Sequence, residues 1–281
     1  MDHAGGNSTA QMKASKRQTD TLGEDFTNLK HFCGSTGTKV MVTTGKPFSS
    51  GTKTEILDLL NGESCADLAN FPLENHAGVG ANLNGTPAVC GGYSSGNWNS
   101  HSQTCYKFKN GEFKEFASMN ENRYYAAGIM YNNKLLVFGG HDGSKILQTS
   151  EIISIDGGVE YGIGLPAALW RHAITSFDPT VSILSGGSTS TTDYSPLTWF
   201  FDHETQAFSS GPSLLEGRVY HGSATLVDKV TQAKIPIVTG GYEDIYLSST
   251  EMLINGTWQS GTIQCKKSNP LLICSFDIFQ I

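Results

Sequence analysis

Eight histidines (positions 3, 31, 76, 101, 141, 172, 203 and 221), six cysteines (33, 65, 90, 105, 265 and 274) and a recurring arginine could do chemistry in this chain. No two of the histidines or cysteines have the close paired spacing of a zinc site. A metal could be held only if folding carried His76, His172 and His221 to a common axis. No nucleophile elbow and no phosphate-binding glycine loop is present, and Gly78-Val79-Gly80 falls where a strand is expected. The expectation is therefore no metal, no cofactor and no catalytic residue. Glu55, Glu151 and Glu251 recur in register, which suits hydrogen bonding between units better than general acid catalysis. Arg123, Arg171 and Arg218 recur at what the spacing takes as equivalent places. They read either as recognition residues or as braces that hydrogen-bond neighbouring carbonyls.

The elements that must position these residues repeat. Thr54-Glu55-Ile56-Leu57, Thr104-Cys105-Tyr106-Lys107, Ser150-Glu151-Ile152-Ile153, Thr198-Trp199-Phe200-Phe201 and Thr250-Glu251-Met252-Leu253 follow one another at intervals of 50, 46, 48 and 52 residues. Such a period marks a repeat array. Four of the five runs follow a short apolar stretch that ends in a glycine pair: Gly91-Gly92, Gly139-Gly140, Gly186-Gly187 and Gly240-Gly241. The first unit keeps Gly45 alone. These glycines read as backbone devices for tight packing, with no ligand.

Runs of four to six β-branched or aromatic residues stopped by glycine are too short for helices and are strands. Asn61-Gly62, Asn84-Gly85, Asn110-Gly111, Asn132-Asn133, Asp156-Gly157, Asp178-Pro179, His203-Glu204 and Asn255-Gly256 read as hairpin turns between them. Each unit then holds four antiparallel strands. Packing such sheets radially buries both faces and protects the edges, giving a β-propeller.

A glycine pair after a hydrophobic strand, an aromatic about a dozen residues later, Trp258 in the last strand and a period near fifty resemble kelch repeats. The resemblance spans residues 39 to 260. It implies an all-β, kelch-type propeller of four-stranded antiparallel blades with five recognisable modules, five- or six-bladed. A sixth blade would be incomplete or assembled from residues 26–38 and 265–281. The domain reading is a disordered polar leader over 1–25, the propeller over 26–265 and a divergent tail over 266–281 that could add a closing strand.

Net charge is −7, from 26 acidic and 19 basic residues with no long block of either sign, which argues against a nucleic-acid surface. No stretch reaches the roughly 18 apolar residues of a membrane span, and the leader lacks the apolar core of a secretory signal. As written, the chain reads as cytoplasmic. The three glycosylation sequons beginning at Asn7, Asn84 and Asn255 suit an extracellular home, the alternative if a signal peptide precedes this sequence. Cys90 and Cys105 fall on adjacent strands where a disulfide could form, and the expectation is two small buried thiols.

Because strand direction alternates, the loops after strands two and four share one face. That face collects Tyr93, Trp98, Arg123, Tyr124, His141, Arg171, His172, Arg218, His221 and Tyr242. Clustered aromatic and arginine side chains suit protein recognition. The expectation is a non-catalytic interaction module that binds a partner protein or peptide there. Alternatives are a secreted carbohydrate- or matrix-binding propeller, or an enzyme with an axial site, since the resemblance takes in a copper radical oxidase and a sialic-acid epimerase. Partner identity and oligomeric state are not fixed by the sequence.

Overall fold

The computed structural model describes residues 39–43, 52, 54–58, 64–65, 68–94, 100–228, 231–268 and 271–277. Their regular structure is all strand, in consecutive antiparallel sheets. The first sheet has three strands, Lys39–Thr43, Thr54–Asp58 and Ser64–Cys65. Three four-stranded sheets follow. The second comprises Val79–Leu83, Thr86–Cys90, Thr104–Lys109 and Glu112–Ser118, and the third Ala127–Tyr131, Lys134–Phe138, Ser150–Ser154 and Val159–Tyr161. The fourth comprises Ala173–Ser176, Val181–Ser185, Thr198–Asp202 and Ala207–Ser210. The fifth adds a strand to the pattern: Gly222–Val227, Lys234–Thr239, Thr250–Ile254 and Thr257–Ser268, then Leu271–Asp277 paired back on the last of these. The leader and the expected turn at Asn61-Gly62 lie outside the described residues.

The first strands of sheets two to five pack successively beside one another, so they form the inner layer and the later strands of each sheet lie further out. Side chains of adjacent sheets interlock between them. Leu83, Ala88 and Cys90 meet Leu135, Val137 and Ile153; Leu136 and Phe138 meet Leu184, Trp199 and Phe201; Ile183 meets Val238, Leu253 and Trp258. Fully burying one such side chain stabilises by about 1.5–3 kcal/mol. Trp258 is held as well by its indole N–H, which donates to the Pro212 carbonyl at 3.0 Å.

Four turns take positive φ at both central positions: Asn84-Gly85 (50°, 88°), Asn110-Gly111 (53°, 84°), Asn132-Asn133 (47°, 60°) and Asn255-Gly256 (51°, 79°). Those angles match the right-handed twist of the paired strands. Asp178-Pro179 makes a wider turn, where the Asp178 carboxylate accepts the N–H groups of Thr180 and Val181 at 2.8 Å each.

Two registers differ from the expected ones. Cys105, not Thr104, is the counterpart of Ser150, Thr198 and Thr250. Cys90 faces Cys105 as Phe138 faces Ser150, Ser185 faces Thr198 and Thr239 faces Thr250. That direct opposition puts both thiols on one face of neighbouring strands. They form a disulfide, 2.03 Å between sulfurs, in place of the expected pair of thiols.

The second slip concerns the arginines. Gly92, Gly140 and Gly187 each donate a backbone N–H to the connection entering the next sheet, at the carbonyls of Arg123, Leu169 and Arg218. Leu169 is thus the counterpart of Arg123 and Arg218. Arg171 stands two residues further on, level with Ala77, Tyr125 and Tyr220.

Candidate functional site

That two-residue offset separates buried braces from the residues of an open mouth. The Arg123 and Arg218 side chains are 0 % exposed. Arg123 donates to Glu151 at 3.0 Å, Glu121 at 2.7 Å and the Gly139 and Thr149 carbonyls at 2.8 and 2.9 Å. Glu151 in turn accepts the N–H groups of Asn120 and Glu121. Arg218 repeats the device with Glu251, Glu216 and the Gly240 carbonyl. Each pair pins the chain entering a sheet to that sheet's third strand. The reading of Arg123 and Arg218 as partner contacts is therefore corrected: neither side chain has surface to offer.

His172 and His221 are corrected for the same reason. Both are buried between sheets and held neutral, with pKa values lowered to about 3, chiefly by desolvation; for His221 the Arg218 charge and His172 add to it. His221 Nε2 lies 3.0 Å from the Ser185 hydroxyl. Among the described residues no group of three His, Cys, Asp or Glu is placed to hold a metal ion.

The glycine pairs lie where these connections cross. A Cβ at Gly91, Gly139 or Gly186 would meet the carbonyl of Arg123, Leu169 or Arg218 at 2.3, 2.2 or 2.5 Å, and all three have φ near +60° to +70°. A side chain there would collide with backbone.

Ala77, Tyr125, Arg171 and Tyr220 form a chain of backbone hydrogen bonds from sheet to sheet. Tyr125 N donates to Ala77 O at 3.0 Å, Arg171 N to Tyr125 O at 2.8 Å and Tyr220 N to Arg171 O at 3.1 Å. All four have φ between 54° and 59°, a left-handed conformation that costs a non-glycine residue roughly 1–2 kcal/mol. It directs the three large side chains into one cluster.

The Arg171 guanidinium carbon lies 3.5 Å from the Trp170 ring centroid, 4.9 Å from Tyr220 and 5.7 Å from Tyr125. Around this centre Tyr124 touches Tyr93, Tyr125, Trp170 and His141, and stacks on His101 at 4.9 Å. The Tyr93 and Tyr125 hydroxyls are 3.2 Å apart, and the Tyr124 hydroxyl is 3.1 Å from His141 Nδ1. Burial raises the pKa of Tyr124, Tyr125 and Tyr220, with Arg171 opposing it, and burial lowers that of His141. The Tyr124, Tyr125 and Tyr220 hydroxyls therefore stay protonated at neutral pH beside the Arg171 charge.

Of the predicted contact residues, Tyr124, His141 and Arg171 therefore come together, over a buried Tyr93. Tyr242 lies along the same face in a small hairpin, Tyr242–Glu243 with Ile245–Tyr246, whose tip is open: Ile245 is 68 % and Tyr246 89 % exposed. Trp98 lies outside the described residues. Sequence reasoning passed over Tyr125 and His101. The signal for Tyr125 was available in the left-handed slot it shares with Arg171 and Tyr220, hidden by aligning Arg171 with Arg123. On the opposite face, a cavity of about 420 Å³ is lined by uncharged groups, among them Asn82, Asn84, Tyr131, Asn132 and Ser176.

No protein-family model matches the sequence, and no curated protein matches it. Among solved structures the chain is similar to that of YjhT, a β-propeller, at 13 % identity and a TM-score of 0.67, covering 80 % of this chain and 81 % of that one. The likeness defines the class: this chain is a propeller of antiparallel sheets.

Proposed function

We propose that this is a kelch-type propeller that acts as a non-catalytic recognition module, binding a segment of a partner protein at the aromatic mouth around Arg171. One observation carries the reading. Arg171 is set among Trp170, Tyr125 and Tyr220 by a backbone conformation that costs energy, whereas the other two recurring arginines are consumed in bracing. Arginine flanked by rigid aromatic side chains is the composition of an energetic centre in protein interfaces. The tyrosines supply contact area at low entropic cost and present hydroxyls for hydrogen bonds. Kelch membership rests on the glycine pairs, Trp258 and the period near fifty.

The test is capture of partners by the immobilised protein, identified by mass spectrometry, with Tyr220→Ala and Arg171→Gln as controls that keep the fold. Partners held equally by the wild type and both variants would end the reading.

The compartment proposed for this activity is an oxidising one, outside the cytoplasm. The support is the buried Cys90–Cys105 disulfide, of a kind that persists in oxidising surroundings and is rare in the cytosol. Counting free thiols under denaturing conditions on protein from its native source tests this. Reactive thiols at both Cys90 and Cys105 would restore the cytoplasmic reading.

A further inference from the structure

We infer that the mouth around Arg171 is a carboxylate-binding site that reads an acidic side chain on an incoming peptide; this rests on the recognition role proposed above.

Arg123 and Arg218 are fully buried, whereas Arg171 is only half-buried. Arg123 has two carboxylates, those of Glu121 and Glu151, and Arg218 has two, those of Glu216 and Glu251. Arg171 has none. Among the described residues its side chain makes no ion pair and no hydrogen bond; its buried Nε has no partner, as is true of Arg218 Nε, so what sets Arg171 apart is the missing carboxylate. The chain has 26 acidic residues, so carboxylates are not scarce. A guanidinium presents a fork that matches a carboxylate, and an unmade hydrogen bond to a buried polar atom is costly. A ligand carboxylate that reaches Nε would satisfy that atom on arrival.

The surroundings fit one negative charge and no more. The Trp170 ring shields one face of the guanidinium, so an anion must approach at its edge, and the Tyr125 and Tyr220 rings narrow that approach. The tyrosine hydroxyls are protonated donors that suit an oxygen acceptor. A phosphate carries nearly two charges and is bound by clusters of cations. Here the other two arginines of the layer are sealed in their own pairs. A single carboxylate beside an apolar or aromatic contact is the chemistry that remains.

The experiment uses the full chain and two fluorescein-labelled peptides, hexaglutamate and hexaglutamine, followed by fluorescence anisotropy. Hexaglutamate is expected to bind at least tenfold more tightly than hexaglutamine, and Arg171→Gln to remove that preference. Arg171→Lys should restore only part of it, because an ammonium lacks the fork. Gln is tolerated at such a backbone angle, since Gln206 and Gln232 adopt φ of 53° and 60° in this chain, and an unchanged melting curve confirms the fold. Equal binding of the two peptides, unaltered hexaglutamate binding by Arg171→Gln, or no binding to the wild type would each overturn the inference. The two readings fail separately: partner capture lost in Tyr220→Ala but kept in Arg171→Gln keeps the recognition surface and removes the carboxylate, whereas capture unchanged in both variants removes the recognition surface itself.

Discussion

At the residue scale the repeats carry out their own substitution series. One slot pairs the connection entering a sheet with that sheet's third strand, and it holds Arg123 with Glu151, Arg218 with Glu251, Leu169 with Trp199, and Asn75 with Tyr106. All eight are buried. Ionic and apolar solutions therefore fit one backbone, as expected if a buried ion pair is exchangeable for well-packed hydrophobes while half of one is not. Glu251→Ala should cost about 3 kcal/mol, because it removes the buried partner of Arg218 and leaves that charge only the half-exposed Glu216. Arg218→Leu with Glu251→Trp should cost clearly less than the single change, measured by urea unfolding. His172 and His221 make the second residue-level prediction. Both have folded-state pKa values near 3 against an ordinary 6.5, so the unfolded chain takes up these protons first as pH falls. Their contribution is complete above pH 6.5 and declines from there toward pH 3, by up to about 1.4 kcal/mol per pH unit for each histidine. Replacing both with Gln should flatten the stability profile across that window. An unchanged slope would contradict their burial as neutral rings.

At the element scale the strands were legible because β-branched runs ended by glycine leave no alternative, and the Asn-Gly turns because two positive φ angles admit few residues. Register was harder. Thr104 and Cys105 are both small strand residues, and only the facing partner distinguishes which one is level with Ser150. Arg171 was misaligned because an arginine two positions from the true slot resembles the arginines that fill it, while the slot itself holds Leu169. That the loops after the second and fourth strands share one face followed from strand alternation alone. Which arginines are buried in it did not, because that depends on Glu151 and Glu251 reaching across from another strand. The glycine pairs allow a sharper test. Gly139 and Gly240 share nearly the same φ, 59° and 63°, but a Cβ at Gly139 would lie 2.2 Å from the Leu169 carbonyl, and at Gly240 the nearest atom is 3.6 Å away. Gly240→Ala should cost about 1–2 kcal/mol, the conformational term alone. Gly139→Ala should cost that plus a displaced connection, and the gap between the two, read from denaturant midpoints, isolates the crowding.

At the scale of the whole molecule the two faces divide the work. The hairpin face carries the Asn84-Gly85, Asn110-Gly111, Asn132-Asn133 and Asn255-Gly256 turns, with Asp156, Asp178 and Asp202 in the turns between them. The other carries the Arg171 cluster and the open Ile245–Tyr246 tip. The Cys90–Cys105 bond ties the second and third strands of one sheet beneath that face, closing a loop with a sequence separation of 15 residues. The loop it spans contains Tyr93 and His101, so it also limits how far the ring cluster can spread. A loop of this length confers about 3 kcal/mol by restricting the unfolded chain. Cys90→Ala with Cys105→Ala should lower stability by about that amount in equilibrium unfolding, and mild reduction should do so only after partial unfolding, because both residues are fully buried. Loss of the bond loosens the loop that carries Tyr93 while leaving Arg171, Trp170 and Tyr220 on other sheets. Hexaglutamate affinity should therefore change much less in the double-alanine variant than in Arg171→Gln. An equal loss in both would show that the mouth depends on the disulfide-bound loop more than on the arginine at its centre.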